Sequence, residues 1–281
     1  MKISVVIASG SAPENAFVVW RGFEESIRKA AACGYDGVEL ALGGAGDVNE
    51  KDINRWLRAA GLEISCISTG LVYAREGLYM TSPDGDVRRR TVETFLGLIR
   101  LAEAWGGLVN IGRARGFVAE GQTRAQAQAL FLDCMEALLG EAQKRGVTLI
   151  VEPVNRYETN FINSVEEAAR LLSRLHSPHV GIMADVFHMN IEDTYIPLTL
   201  IKHSALVRYL HMADSNRRAP GMGHTPFMPI LRALRQSGYD GWLGVEVLPG
   251  DNPDETAAAA ARYLRALLAA TDDKQEGDCV S

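Results

Sequence analysis

The sequence predicts an α/β protein built as a single (β/α)8 barrel. Three observations carry that prediction. Short apolar, β-branched runs alternate with longer segments of helical period along the whole chain. Glycine stands just past a helix and just before a strand at Cys33-Gly34, Ala60-Gly61, Arg145-Gly146 and Ser237-Gly238. The length, 281 residues, suits one such barrel, which takes roughly 250. Strands alternating with helices imply a parallel sheet, and eight units close most naturally into a barrel. An open doubly wound sheet is the rival, but no GxGxxG follows the first apolar run.

The elements read as follows. Ile3–Ala8 is the first strand, with helical period next over Glu24–Cys33. Gly37–Leu42 precedes Asn49–Ala60, and Glu63–Ser68 precedes the long helix Val87–Trp105. Leu108–Ile111 leads to Thr123–Lys144. Thr148–Glu152 leads to Ser164–Leu175, where Ser164 with Glu166 and Glu167 reads as an N-cap followed by acids in the first turn. After Val180–Asp185 the pattern is least regular, with a short helix expected near Pro197–His203. Val207–His211, Phe227–Ser237, Gly241–Glu246 and Thr256–Ala269 complete the series. The expected division is a catalytic barrel over residues 1–270 and a polar, flexible tail over 271–281.

Composition narrows the class. Apolar residues make up 47% and charged residues 23%, and the net charge is −6. An acidic balance gives no general attraction to nucleic acid or anionic membrane. No stretch approaches the roughly 18 uncharged apolar residues of a membrane span, and MKISVVIASG reads as a strand rather than a signal peptide. The four cysteines, Cys33, Cys66, Cys134 and Cys279, are scattered with no CxxC pair, as expected for reduced thiols in the cytoplasm. A chain this long buries a large core unaided, so a metal here would be catalytic rather than structural.

Polar residues interrupt the last four strands at their C-terminal ends: Glu152 in TLIVEP, Asp185 in VGIMAD, His211 in VRYLH and Glu246 in GWLGVEV. Barrel enzymes keep their active sites on that face. One acid at a strand end is more often a loop cap or ion-pair partner, but four successive strands ending this way point to a shared site. Three carboxylates brought together repel one another unless a cation neutralises them. Three oxygen donors and one imidazole suit a six-coordinate Mn²⁺, Mg²⁺ or Co²⁺ better than a thiolate-bound zinc. The following loops are dense in polar groups. They carry Asn155, Arg156 and Glu158, then His188, Asn190 and Glu192, then Asp214, Asn216, Arg217, Arg218 and His224. Such a mouth suits a polyol. For Arg156, Asn190 and Glu192 a loop or interface ion pair is at least as good a reading.

The segments VEPVNRYETNFINS, ADVFHMNIED, HMADSNRRAPGMGH and GVEVLP resemble the D-tagatose 3-epimerase family of xylose-isomerase-like TIM barrels, and the likeness runs through nearly the whole chain. The resemblance implies one divalent cation on Glu152, Asp185, His211 and Glu246, with Glu152 and Glu246 also the catalytic acid/base pair. It implies that Glu158, His188 and Arg217 bind the sugar near the reacting carbons. The implied reaction inverts a carbon next to a ketone through an enediolate. Where family members acting on neutral ketoses offer an aromatic wall after the fourth strand, this chain has Arg113-Ala-Arg115. Those arginines point to an acidic keto sugar such as 5-keto-L-gluconate, since a guanidinium grips a planar carboxylate with paired hydrogen bonds. An aldose–ketose isomerase of inosose or hydroxypyruvate type would use the same metal and acids. A DNA-repair endonuclease on this barrel would need a histidine-rich multi-zinc cluster. A non-catalytic sugar-binding protein would not need two carboxylates flanking one carbon. The expected partners are a small sugar or sugar acid and further copies of the chain, as a homodimer or tetramer, without nucleic acid or membrane.

Overall fold

The eight apolar runs form eight parallel strands: β1 (Lys2–Ala8), β2 (Gly37–Ala41), β3 (Glu63–Ser68), β4 (Leu108–Ile111), β5 (Thr148–Val151), β6 (Val180–Asp185), β7 (Val207–His211) and β8 (Trp242–Val245). The structure is a computed structural model and describes residues 1–13 and 16–272. Each strand pairs with the next in chain order. β8 returns to β1 with Lys2 opposite Trp242 and Val5 opposite Val245, which closes the ring. Beyond that overlap, the two-residue strand Trp20–Arg21 pairs with Ile7 and Ala8 and covers the mouth end of β1.

The strands are buried on both faces, which is why they read as continuous apolar runs. Outward-facing residues such as Val5, Val38, Val109 and Leu149 join the large core shared with the helices. Cys66, Ile150, Met183 and Tyr209 form a separate cluster inside the ring. There the Tyr209 hydroxyl bridges Ser4 Oγ and Ser65 Oγ, each at 2.8 Å, across the barrel floor.

The helices are α1 (Phe23–Ala32), α2 (Glu50–Ala60), α3 (Gly70–Glu76), α4 (Gly85–Ala102), α5 (Arg124–Lys144), α6 (Val165–Leu172), α7 (Val186–Glu192), α8 (Ile196–Lys202), α9 (Phe227–Gln236) and α10 (Pro253–Asp272). Several of their starts are capped by side chains, Ser164 among them as the sequence suggests. Asn49 accepts from Lys51 N, Ser164 from Glu167 N, and Thr123 forms a reciprocal capping box with Gln126. Each such cap contributes about 1 kcal/mol. Gly61 ends α2 with φ of 67°, a left-handed turn that lets the chain drop straight into β3.

Several boundaries differ from expectation, among them the start of α10, at Pro253 rather than Thr256. The helix expected to reach Trp105 ends at Ala102, because Trp105 is buried and fits the apolar period without being helical. The last turn expected of α6 narrows to a 3₁₀ turn at Ser173–Leu175. Of the tail expected over 271–281, Thr271 and Asp272 instead continue α10, and buried Thr271 accepts a hydrogen bond from Arg235 Nε at 2.7 Å. Residues 273–281, with Cys279, lie outside the described residues. Among the described residues, no helix is long and apolar enough to cross a membrane.

Candidate active site

Asp185 and His211 are the last residues of β6 and β7 and stand opposite one another in register. Glu152 and Glu246 each follow the last residue of their strand, β5 and β8. The four side chains converge at the C-terminal mouth, with one potential ligand atom from each lying within 4.8 Å of the others. His211 Nδ1 is 3.3 Å from Glu152 Oε1, 3.6 Å from Glu246 Oε2 and 3.7 Å from Asp185 Oδ2. Among the described residues this is the one group of His, Cys, Asp and Glu side chains that converges in this way.

The electrostatics of the four are strained. Burial, reinforced by the charges of Glu152 and Asp185, pushes Glu246 up to about 8, against the pull of His211 and Arg217. Burial also opposes the ionisation of Glu152, but the hydrogen bond and charge of His211 outweigh it and hold the carboxyl below the ordinary range. At Asp185 the burial penalty is overcome by Arg217, His188 and His211, again to a lowered value. Burial alone would lower His211, yet Glu39, Glu246, Asp185 and Glu152 raise it well above an ordinary histidine. Protons on His211 and Glu246 thus offset charge that a divalent cation would offset better. A donor set of three carboxylates and one imidazole around a single point fits such a cation.

Two further side chains complete the mouth, and neither was singled out from the sequence. Glu39, in the middle of β2, is fully buried and accepts from His211 Nε2 at 3.1–3.2 Å. An acid within the apolar run GVELA was the available signal. Asn110 of β4 donates from Nδ2 to Glu152 Oε2 at 3.3 Å.

With the fold and the converging residues in place, kinship can be read. Residues 27–267 match the family described as xylose isomerase-like TIM barrel. The chain belongs to that family. A D-psicose 3-epimerase of Enterocloster bolteae is 29% identical over 226 residues, covering 78% of this chain and 74% of the relative. A 3-dehydro-D-guloside 4-epimerase of Escherichia coli is 32% identical over 134 residues, 47% of this chain and 51% of that one. Among solved structures, an L-ribulose 3-epimerase superposes with a TM-score of 0.84 at 23% identity, over 99% of this chain and 98% of its own.

The barrel holds a pocket of about 380 Å³ that two of the four converging residues, Glu152 and Glu246, line directly. Its lining combines the polar Glu152, Glu158, His188, Arg217 and Glu246 with the apolar Val6, Val18, Ala41, Leu71 and Leu248. Arg217 is buried, with its backbone in the left-handed region at φ of 61°. Its guanidinium lies between the rings of Phe17 and Phe187, 4.7 Å from each, donates to Asp185 Oδ2 at 3.0 Å and also bonds Glu246. His188 Nε2 is 3.3 Å from that guanidinium, and its Nδ1 is 2.8 Å from Asn155 Nδ2. Burial pulls His188 below its ordinary value, more than nearby Asp185 raises it. Asn155 Nδ2 also donates to Glu158 Oε1 at 3.0 Å, so Glu158, His188 and Arg217 form one connected wall. Three buried atoms of the pocket-lining residues, Ser68 Oγ, Asn110 Oδ1 and Arg217 Nε, have no hydrogen-bond partner among the described residues.

The arginines after β4 divide. Arg113 lines the pocket, half-exposed, with a guanidinium nitrogen 3.8 Å from Glu158 Oε2. Arg115 does not line it, which corrects the expectation that it binds substrate. Its side chain is 1% exposed, and it donates to the carbonyls of Gly112 at 3.0 Å and Phe161 at 3.3 Å. Burial lowers its pKa to about 10, which leaves it charged at neutral pH. The chain turns away immediately afterwards at Gly116, φ 91°, where a Cβ would fall 2.1 Å from Thr81 Oγ1. Arg218 and His224 are exposed and are not among the pocket-lining residues. Asp214 folds their loop by accepting from the backbone of Ser215, Gly221 and Thr225, and Asn190 is exposed. Arg156 and Glu192 form a bidentate ion pair at 3.0 and 2.7 Å, as the structural reading of those residues expects.

Proposed function

We propose that this chain, a carbohydrate epimerase by kinship, inverts a carbon next to the ketone of a keto sugar or keto-sugar acid. Glu152 and Glu246 act as the proton carriers. The observation that supports this best is the convergence of two carboxylates, from β5 and β8, on one pocket whose lining also carries Glu158, His188 and Arg217. Inversion needs one group to take a carbon-bound proton and another to return one from the opposite face. A bound divalent cation, Mn²⁺ in the first instance, would supply Lewis acidity toward the ketone oxygen. His188 and Arg217, joined through Asn155 to Glu158, orient the oxygen-bearing end of the substrate and share its developing charge. The unpartnered Ser68 Oγ and Asn110 Oδ1 suit sugar hydroxyls. The reaction is tested by running it in D₂O over a panel of ketoses and ketouronates. Deuterium at the inverted carbon with an epimeric ketose as product is expected, and an aldose product would make the chain an isomerase instead.

The same reading extends to an acidic substrate of the 5-keto-L-gluconate kind, and Arg113 is the residue that supports it. It is the arginine of the β4 loop that reaches the pocket, and its contact with Glu158 is loose. A charge-assisted hydrogen bond to a carboxylate is worth roughly 1.5–3 kcal/mol, about ten- to a hundredfold in selectivity. The parent should therefore favour a ketouronate over the matching neutral ketose in kcat/KM, and Arg113→Ala should remove most of that preference. A parent that prefers the neutral sugar would overturn this extension and leave the epimerase reading intact.

A further inference from the structure

Glu39 has no part in the chemistry above. It sits opposite Val6 of β1 and Cys66 of β3 and is fully buried. A carboxylate taken out of water is unstable unless it is well partnered, so its partner is informative. Both oxygens lie within hydrogen-bonding distance of His211 Nε2, at 3.2 and 3.1 Å. Among the described residues this is the only hydrogen bond the carboxylate receives. The other ring nitrogen, Nδ1, faces Glu152, Glu246 and Asp185. Glu39 itself is not among the converging ligand atoms.

We propose that Glu39 is a positioning residue of the metal centre, holding the Nε2–H of His211 so that Nδ1 is the atom offered to the cation. A neutral imidazole carries one N–H, and an ionised carboxylate can only accept. The pairing therefore selects the tautomer whose lone pair points into the cluster. It also fixes the plane of a ring whose edge contact is Tyr209, with centroids 5.7 Å apart. Outer partners of this type commonly change metal affinity by about 10–100-fold.

This inference rests on the metal-centre reading, and the experiment separates the two. Full-length protein is stripped with a chelator and titrated calorimetrically with Mn²⁺, in the parent and in Glu39→Gln. Gln keeps the shape but can present either an acceptor or a donor to the imidazole. The expected result is a Kd raised about 10–100-fold in the variant, with the metal-free melting temperature close to the parent's. A folded variant whose Kd stays within about twofold of the parent's overturns the role of Glu39 alone. A parent that binds no Mn²⁺ overturns the metal centre and this inference with it. Should Glu39→Gln fail to fold, ¹⁵N NMR of the parent loaded with Mg²⁺ decides the matter. Protonation of His211 at Nε2 is expected, and protonation at Nδ1 would refute the assignment.

Discussion

Arg113 and Arg115 stand two residues apart and answer to different forces. Arg115 donates to two buried carbonyls, and deleting it leaves those acceptors and a cavity behind. Arg115→Ala should lower unfolding free energy by roughly 2–4 kcal/mol, read from denaturant melts. Arg113→Ala should stay within about 0.5 kcal/mol of the parent, since its side chain is half in water. Equal losses in both would mean that the loop is not held as described. At the mouth, Glu246→Gln should reduce kcat by about 10²–10⁴ with the fold retained, checked by circular dichroism beside single-turnover rates. A variant that keeps most of its activity would remove Glu246 from the proton-carrying pair.

Among the elements, the loop after β5 depends on α7 for its shape. Glu192, at the last position of α7, accepts from the backbone N of Arg156 at 2.6 Å as well as from its guanidinium. Asn155 and Glu158 flank this anchor and belong to the wall proposed to meet the substrate. Glu192→Ala should therefore raise KM severalfold while changing kcat less. The hydrogen bonds from Arg156 hold the Glu192 carboxyl below its ordinary value, against burial. A lowered carboxylate stabilises the folded form above its unfolded pKa and loses that contribution as pH falls through the folded one. The protection factors of the amides in residues 155–158, exchange rates corrected for their intrinsic pH dependence, should accordingly fall below the usual glutamate range and hold steady between pH 6 and 8. The barrel strands were legible to within a residue at either end, because burial on both faces leaves unbroken apolar runs such as TLIV and VGIMA. The four converging residues were legible because they end such runs. Helices α3 and α7 were not, since seven residues span too few turns for a period to show and neither has the proline that marks the start of the equally short α8. The burial of Arg115 was hidden as well: sequence places both arginines in one loop, and only the turn at Gly116 sends one inward.

For the molecule as a whole, a cation that binds the folded site and not the unfolded chain must stabilise the fold. At a concentration near 100 times Kd the gain is about 2.7 kcal/mol. For a chain of this size that corresponds to a rise of roughly 5 °C in melting temperature. Scanning calorimetry of chelated and Mn²⁺-loaded protein should show it, and an unchanged transition would count against the metal centre. The pairing of β1 with β8 carries a consequence for how the protein is made. Residues 2–5 must find residues 242–245, so the last contact in the ring spans nearly the whole chain. Loop-closure entropy makes so remote a contact slow to form. Glu246 lies one residue beyond that closing strand. A partly folded chain with β5 to β7 in place would offer Glu152, Asp185 and His211 without their fourth partner, so tight cation binding should appear in refolding only with the last, slowest phase.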